Sequence, residues 1–299
     1  MSDPDPIRLS ADHIAFSFRA DAPPALRVSP GSVVAFETSA APVERLFAAG
    51  ADWVQASDPN RINAVTGPVY VEGVESGDAV TIEILDIAIG PWGWTMALPH
   101  YGLLAGSLPG PSLTRYPIVD GVIALSDRVR VPVRPMIGCV GLAPPHGESS
   151  TLGPAYPWGG NMDLIQAKAG NTVLLPAQVP GGLVSLGDLH AAMGANEATY
   201  VAIEAPGVAT VRLDVRKGLS FPGPRVESPE RTYVLGMDGP PTYNLDAART
   251  QAAERLFAYL TEERGLTLDE AHTLIAAAGD IELGGPASAI AVASAPNSW

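Results

Sequence analysis

Apolar and polar residues alternate with a period of two through much of the first 237 residues. In Val80-Thr81-Ile82-Glu83-Ile84 the apolar side chains fall on one side, which predicts a strand with one buried and one wet face. "LRVSPGSVVAFET" predicts two strands around a Pro-Gly turn. "GPVYVEGVESGDAVTIEILDIAIG" predicts strand, Gly-Asp turn, strand, and "NTVLLPAQV" and "ATVRLDVRKG" repeat the pattern. Residues 91–120, rich in Pro, Gly and aromatics, predict a long ordered excursion able to wall a pocket. The period then changes. Asn244 can cap a helix whose stripe is Leu245, Ala248, Ala252, Leu256, Tyr259 and Leu260, with Gly265 as its stop. Thr267 and Glu270 form a capping box for a second helix. Strands first and helices last predict a β-rich α+β fold: packed sheets or a barrel-like sandwich with a C-terminal helical pair. A proline-rich stretch near residues 131–145 suggests a soft boundary between a β-rich half (1–130) and a second half (131–299) holding the candidate chemistry, compatible also with one compact unit.

Composition narrows the classes. With 299 residues and 46% hydrophobic content, a sizeable core is expected, and the 31 glycines and 29 prolines mark many short turns. A net charge of −14 argues against nucleic acid or an anionic membrane as partner and fits a small neutral or cationic molecule. The single Cys139 excludes an internal disulfide and a multi-cysteine zinc site. The opening "MSDPDPIRLS" lacks the basic and apolar regions of a signal peptide, and no run approaches a membrane span of about 20 residues, so the cytoplasm is expected.

Against this background the stretch from Pro157 to Glu197 stands out. It carries Asn161, Asp163, Asp188, His190 and Glu197 among glycine turns and apolar strands. Residues two apart on a strand face one way, so Asp188 pairs with His190 and Asn161 with Asp163. A carboxylate and an imidazole so placed can hold a divalent ion, form an oriented proton-transfer pair, or simply stabilise a turn through a buried hydrogen bond. A short helical turn from His190 to Met193 is expected, which puts His190 at a pocket edge where truncation leaves the fold largely intact. Gly159-Gly160 lets backbone N–H groups approach a ligand, as an oxyanion site requires, or is only a turn. Glu148, in the polar loop "PPHGESST", is either a general base or an exposed loop acid. An inward-facing Glu197 or Glu204 would suggest function. Cys139 is expected in the core, His100 and His146 in loops, His13 at a strand start where it can face inward, and His272 on the second helix. Walker, G-x-G-x-x-G, H-E-x-x-H and G-x-S-x-G motifs are all missing from the sequence.

"GPVYVEGVESGDAVTIEILDI", "IGCVGLAP", "GPAYPWGGNMD" and "GGLVSLGDLHAAMGANEATYVAIE" occur in the order and spacing of the acetamidase/formamidase family, which the chain resembles from about Val28 to the C-terminal helices. The resemblance implies a β-rich, cytoplasmic oligomer, expected to be a homodimer, that hydrolyses the C–N bond of short amides, with a divalent metal (zinc or calcium) in some members. Asn161 and Asp163 match the family's Gly-Gly-Asn-x-Asp, Asp188 and His190 its Gly-Asp-x-His, and Glu197 the acid of its Gly-Asp-Gly-Glu. Two positions depart from the pattern: Asn196 stands where that last motif has Asp, and Ser39-Ala40 where the strand "VVAFET" normally continues into Asp. The resemblance thus implies Asp163, Asp188 and His190 as metal ligands. Amide hydrolysis at such a site needs catalytic groups, for which Asp188 and His190 stand with Glu148 or Glu197 as proton shuttle, and substrate contacts, for which Gly159, Gly160 and Asn161 stand. Three readings follow: hydrolysis of a small acyclic amide, hydrolysis of a larger or cyclic amide such as a lactam, or a non-catalytic small-molecule or metal-binding relative.

Overall fold

The computed structural model of the protein describes residues 5–299. The first four residues of the acidic opening stretch, in which no signal peptide is read, lie outside the described residues. Most strands join two large sheets. A nine-stranded sheet has at its centre Ser32–Glu37, Gly207–Arg216, Ala79–Ile89 and Thr172–Pro176, in that order. An eleven-stranded sheet is organised around Val184–Ala192, which pairs with Met136–Gly141, Val65–Val71 and Ile203–Glu204. Valine, isoleucine and leucine side chains, among them Ile82, Ile84, Val140, Leu142, Leu175 and Leu186, pack into one main core. The fold is the β-rich α+β architecture that the alternation predicts.

The predicted strands exist, but their partners are distant in sequence. Leu26–Val28 and Ser32–Glu37, expected around one Pro-Gly turn, enter different sheets, as do Val65–Val71 and Ala79–Ile89. Strands from before and after residue 130 pair in both large sheets. The alternation in Ala79–Ile89 is also less clean than expected. Thr81, on the supposed wet face, is buried, and Glu83 is held by Arg212 Nε at 2.8 Å.

The C-terminal helices are Leu245–Ala258 and Leu268–Ala278. Asn244 accepts the Ala247 N–H at 3.0 Å, and Thr267 and Glu270 complete the capping box. The first continues as a π-helical turn, Tyr259–Glu263, before Gly265. The chain does not finish in helices, however. Ala289–Pro296 returns as a strand paired along its length with Arg231–Asp238, its small residues admitting the helix packed above. A further helix, Ala41–Ala49, lies where only strands were expected. Its Pro42 start and its Val43 and Leu46 at helical spacing are the signal that strand alternation masked. Arg115 pins it, bonding Glu44 at 2.6 Å and lying 4.4 Å over Phe47 and 4.0 Å over Trp92.

Candidate active site

Val184–Ala192 carries the site. The expected helical turn at His190 is absent: the strand runs through it to Ala192. His190 is 1% exposed, and it is the buried one of the five histidines; His13, at a position where it could face inward, is exposed like His100, His146 and His272. Asp188 adopts φ +57° in mid-strand, and Asp163, just after strand Gly159–Asn161, adopts φ +46°. Aspartate tolerates this left-handed region better than most residues, at a strain of roughly 1–3 kcal/mol. Both carboxylates thereby reach the imidazole. His190 Nε2 stands 3.6 Å from Asp188 Oδ1, 3.7 Å from Asp163 Oδ1 and 3.1 Å from Glu204 Oε2. His190 Nδ1 lies 3.2 Å from Met193 Sδ.

Glu204 completes the cluster as the nearest carboxylate to His190. It lies opposite His190 in the strand ladder, and its signal was an acid ending the alternating "YVAI". Two further participants carry no readable signal. Asn63 Nδ2 donates to Asp188 Oδ2 at 3.2 Å, to Asn161 Oδ1 at 3.3 Å and to the Thr151 carbonyl at 3.0 Å. Gly138, on Met136–Gly141, forms the floor: a Cβ there would stand 2.6 Å from Asp163 Oδ1 and 2.7 Å from both Asp188 Oδ2 and His190 Nε2.

Four carboxylates beside one imidazole cannot all carry charge in a buried site. Burial pushes Asp163 and Glu204 well above the usual carboxylate range, aided by the charges of Asp188 and Glu197. Burial also works to raise Asp188, but the charge of His190 and hydrogen bonds from His190, Glu204 and Asn63 hold it below its ordinary value. Burial tends to lower His190; the bond to Asp188 and the charges of Asp188 and Glu197 raise it instead. These directions favour charge on Asp188 and His190 over charge on Asp163 and Glu204. Burial lifts Glu197 to about 7, with Asp188 reinforcing and His190 and the Ala202 N–H (2.8 Å) opposing.

The shift in Glu197 makes a testable statement. A carboxyl raised from 4.5 to about 7 adds stability that is fully present below pH 4.5 and is lost as pH rises through 7. In chelated, metal-free protein, urea unfolding should find wild type losing about 3 kcal/mol relative to Glu197→Gln between those limits. Parallel pH curves for the two proteins would refute it.

Asp163, Asp188, Glu197, Glu204, Asn161 and Asn63 all line a cavity of about 350 Å³. Four proposed residues do not line it: His190, which is buried and meets the cavity only through Asp163, Asp188 and Glu204, and Glu148, Gly159 and Gly160. Glu148 is exposed, on strand Glu148–Ser150, where it accepts the Ser17 hydroxyl at 3.1 Å. The Gly159 N–H is spent on the Tyr156 carbonyl at 2.9 Å, and Gly160 sits opposite Val140 in the ladder, so neither is placed as an oxyanion donor. Asn196 donates to the Gly284 carbonyl at 2.9 Å, a bond that aspartate cannot make. Ser39 borders a second cavity of about 50 Å³ that shares Asn63, Asp188 and Glu204 with the first.

The profile of the acetamidase/formamidase family matches residues 6–152 and 149–290, nearly the whole chain. The chain belongs to that family. Among solved structures, an acetamidase from Bacillus halodurans is 34% identical over 97% of both chains, with a TM-score of 0.88. A recombinant protein described as a predicted acetamidase/formamidase, from Thermoanaerobacter tengcongensis, is 30% identical over 97% of this chain and 95% of its own, with a TM-score of 0.90. A formamidase of Methylophilus methylotrophus is 25% identical over 230 residues, 56% of this chain and 54% of that protein. This family member thus matches about half the length of that curated relative. Among the described residues, none of its helices is long and apolar enough to cross a membrane.

Proposed function

We propose that the protein hydrolyses the C–N bond of a small amide to a carboxylate and ammonia at the cluster around His190. The observation that carries this reading is His190 Nε2 within 3.7 Å of Asp163, Asp188 and Glu204, three carboxylates that line one cavity together with Glu197. Glu197, lifted to about 7, suits a general base that takes a proton from the attacking water and returns it to the departing amine. The buried Asn63 Oδ1 has no hydrogen-bond partner and suits an amide N–H. The substrate is then held by an acceptor that discriminates its NH2 group from a carboxylate oxygen.

The same cluster fits a divalent ion. Asp163 Oδ1 is buried without a hydrogen-bond partner, and the ligand atoms of Asp163, Asp188 and His190 lie within 4.8 Å of one another. Two carboxylates and one imidazole suit zinc better than calcium, which takes six to eight oxygen ligands. A bound zinc supplies a polarised carbonyl and an acidified water. Its uptake requires neutral His190 and ionised Asp163, so affinity should rise with pH. We further propose a cytoplasmic homodimer; a 31.0 kDa species in light scattering at micromolar concentration would refute the dimer.

Ammonia release from formamide, acetamide and propionamide, before and after chelation, tests the reading. Equal amounts of carboxylate and ammonia, lost on chelation and restored by zinc, are expected. Folded, zinc-loaded protein that releases ammonia from none of these, nor from longer amides, would overturn it and favour a non-catalytic relative.

A further inference from the structure

The cavity is larger than the smallest amides need. Formamide and acetamide have three and four heavy atoms and take about the room of two or three waters, each roughly 30 Å³ in the liquid. The cavity measures about 350 Å³, in the range of pockets that enclose ligands several times that size, roughly 300–1,000 Å³. Beyond the carboxylates, much of its lining is apolar: Ile62, Trp94, Met96, Leu98, Tyr101 and Val201.

This wall is built rather than incidental. Ile62, Trp94, Met96, Leu98 and Val201 belong to one hydrophobic cluster with the buried Leu46 of helix Ala41–Ala49 and the buried Trp53. Trp94 sits on strand Trp92–Ala97 directly opposite Glu204, so the apolar wall begins one ladder rung from the carboxylate cluster. At the rim the rings of Tyr101 and Tyr200 lie 5.3 Å apart. Water against such a wall finds few partners, and an apolar group that displaces it gains its transfer free energy.

We propose that this apolar lobe receives the acyl substituent of the substrate, so that the preferred amides are primary amides with an aromatic or medium-length aliphatic acyl group. The inference rests on the amide-hydrolase reading above. The released group is ammonia, which needs no apolar room, and the acyl chain is what remains to fill the lobe. One methylene placed in an apolar pocket contributes roughly 10- to 200-fold to kcat/KM, so discrimination should be easily measured.

The test compares kcat/KM of the purified full chain for formamide, acetamide, hexanamide and 2-phenylacetamide by ammonia release, and for acetanilide by aniline release. Hexanamide or 2-phenylacetamide should exceed acetamide about tenfold or more. Leu98→Trp, which fills the lobe, should lower the ratio of 2-phenylacetamide to acetamide about tenfold. Formamide or acetamide turned over fastest would overturn the inference and leave the amidase reading standing. Acetanilide preferred would overturn the acyl assignment, since the apolar group would then sit on nitrogen. Turnover of none of the five would remove the amidase reading itself. The wild-type panel decides the question even if the variant does not fold.

Discussion

His190→Ala is expected to lower kcat/KM for amide hydrolysis about a thousandfold or more, within the range of a positioned acid–base group combined with a lost ligand. The imidazole is the one side chain of the cluster able to serve as a neutral nitrogen ligand, and it can also exchange a proton near neutral pH. It also contacts Asp163, Asp188 and Glu204 at once. The fold should register the loss as well, contrary to what a pocket-edge position implies. His190 is 1% exposed in the middle of a strand paired on both sides, and its removal leaves Asp188 with only Asn63 and Glu204. Breaking a buried ion pair in this way costs roughly 3–5 kcal/mol. Asp188, without its cation, should bind a proton more tightly folded than unfolded. The destabilisation should therefore ease as pH falls toward the ordinary carboxylate range and deepen as it rises. Melting and turnover measured on one preparation at pH 5.5 and 8 check both parts. Near-normal turnover per folded molecule would remove His190 from the chemistry.

Gly138→Ala is expected to cost a hundredfold or more in kcat/KM, of the order expected for misplacing reacting groups by about 1 Å. The added methyl would stand 2.6–2.7 Å from Asp163 Oδ1, Asp188 Oδ2 and His190 Nε2, well inside van der Waals contact. Relief is blocked on several sides. Met136–Gly141 is buried along its length and paired on both edges, and Asp188 is tied to Asn63. The three groups must therefore separate, and bound metal measured by elemental analysis should fall with activity. Overpacking should also lower stability by about 1–3 kcal/mol. Cys139→Ala is the control. It is equally buried in the same strand but removes an atom, so it should keep turnover and metal. Full activity in Gly138→Ala would mean that the carboxylates do not act from these positions.

Glu204 and Glu148 illustrate the limits of reading acids from sequence. Both are glutamates near the Gly-Gly-Asn and Gly-Asp-x-His segments. Glu148, in a polar loop, is wet and bonded to Ser17; Glu204, ending an apolar run, lies against His190. Burial of the flanking residues separated them, because an acid among residues that must be buried is carried inward unless the strand ends first. Asn63 and Gly138 had no such marker. The part each plays depends on Val65–Val71 and Met136–Gly141 flanking Val184–Ala192, and those pairings span about 50 to 120 positions in sequence.

The amino-acid sequence by itself determined the β-rich class, most strands, the two capped C-terminal helices and the Asp163, Asp188, His190 and Glu197 set. Each rests on short-range physics: the period of two, the geometry of caps and turns, and the scarcity of ionisable groups among apolar strands. Only the tertiary structure decided which strands are neighbours, that the chain closes with a strand rather than a helix, and that Glu204 rather than Glu148 meets His190. It also decided that glycine must stand at 138 and that Trp94 lies opposite Glu204. Alternation states which face of a strand is buried but not against which strand, since every apolar face is compatible with every other until the whole core is packed.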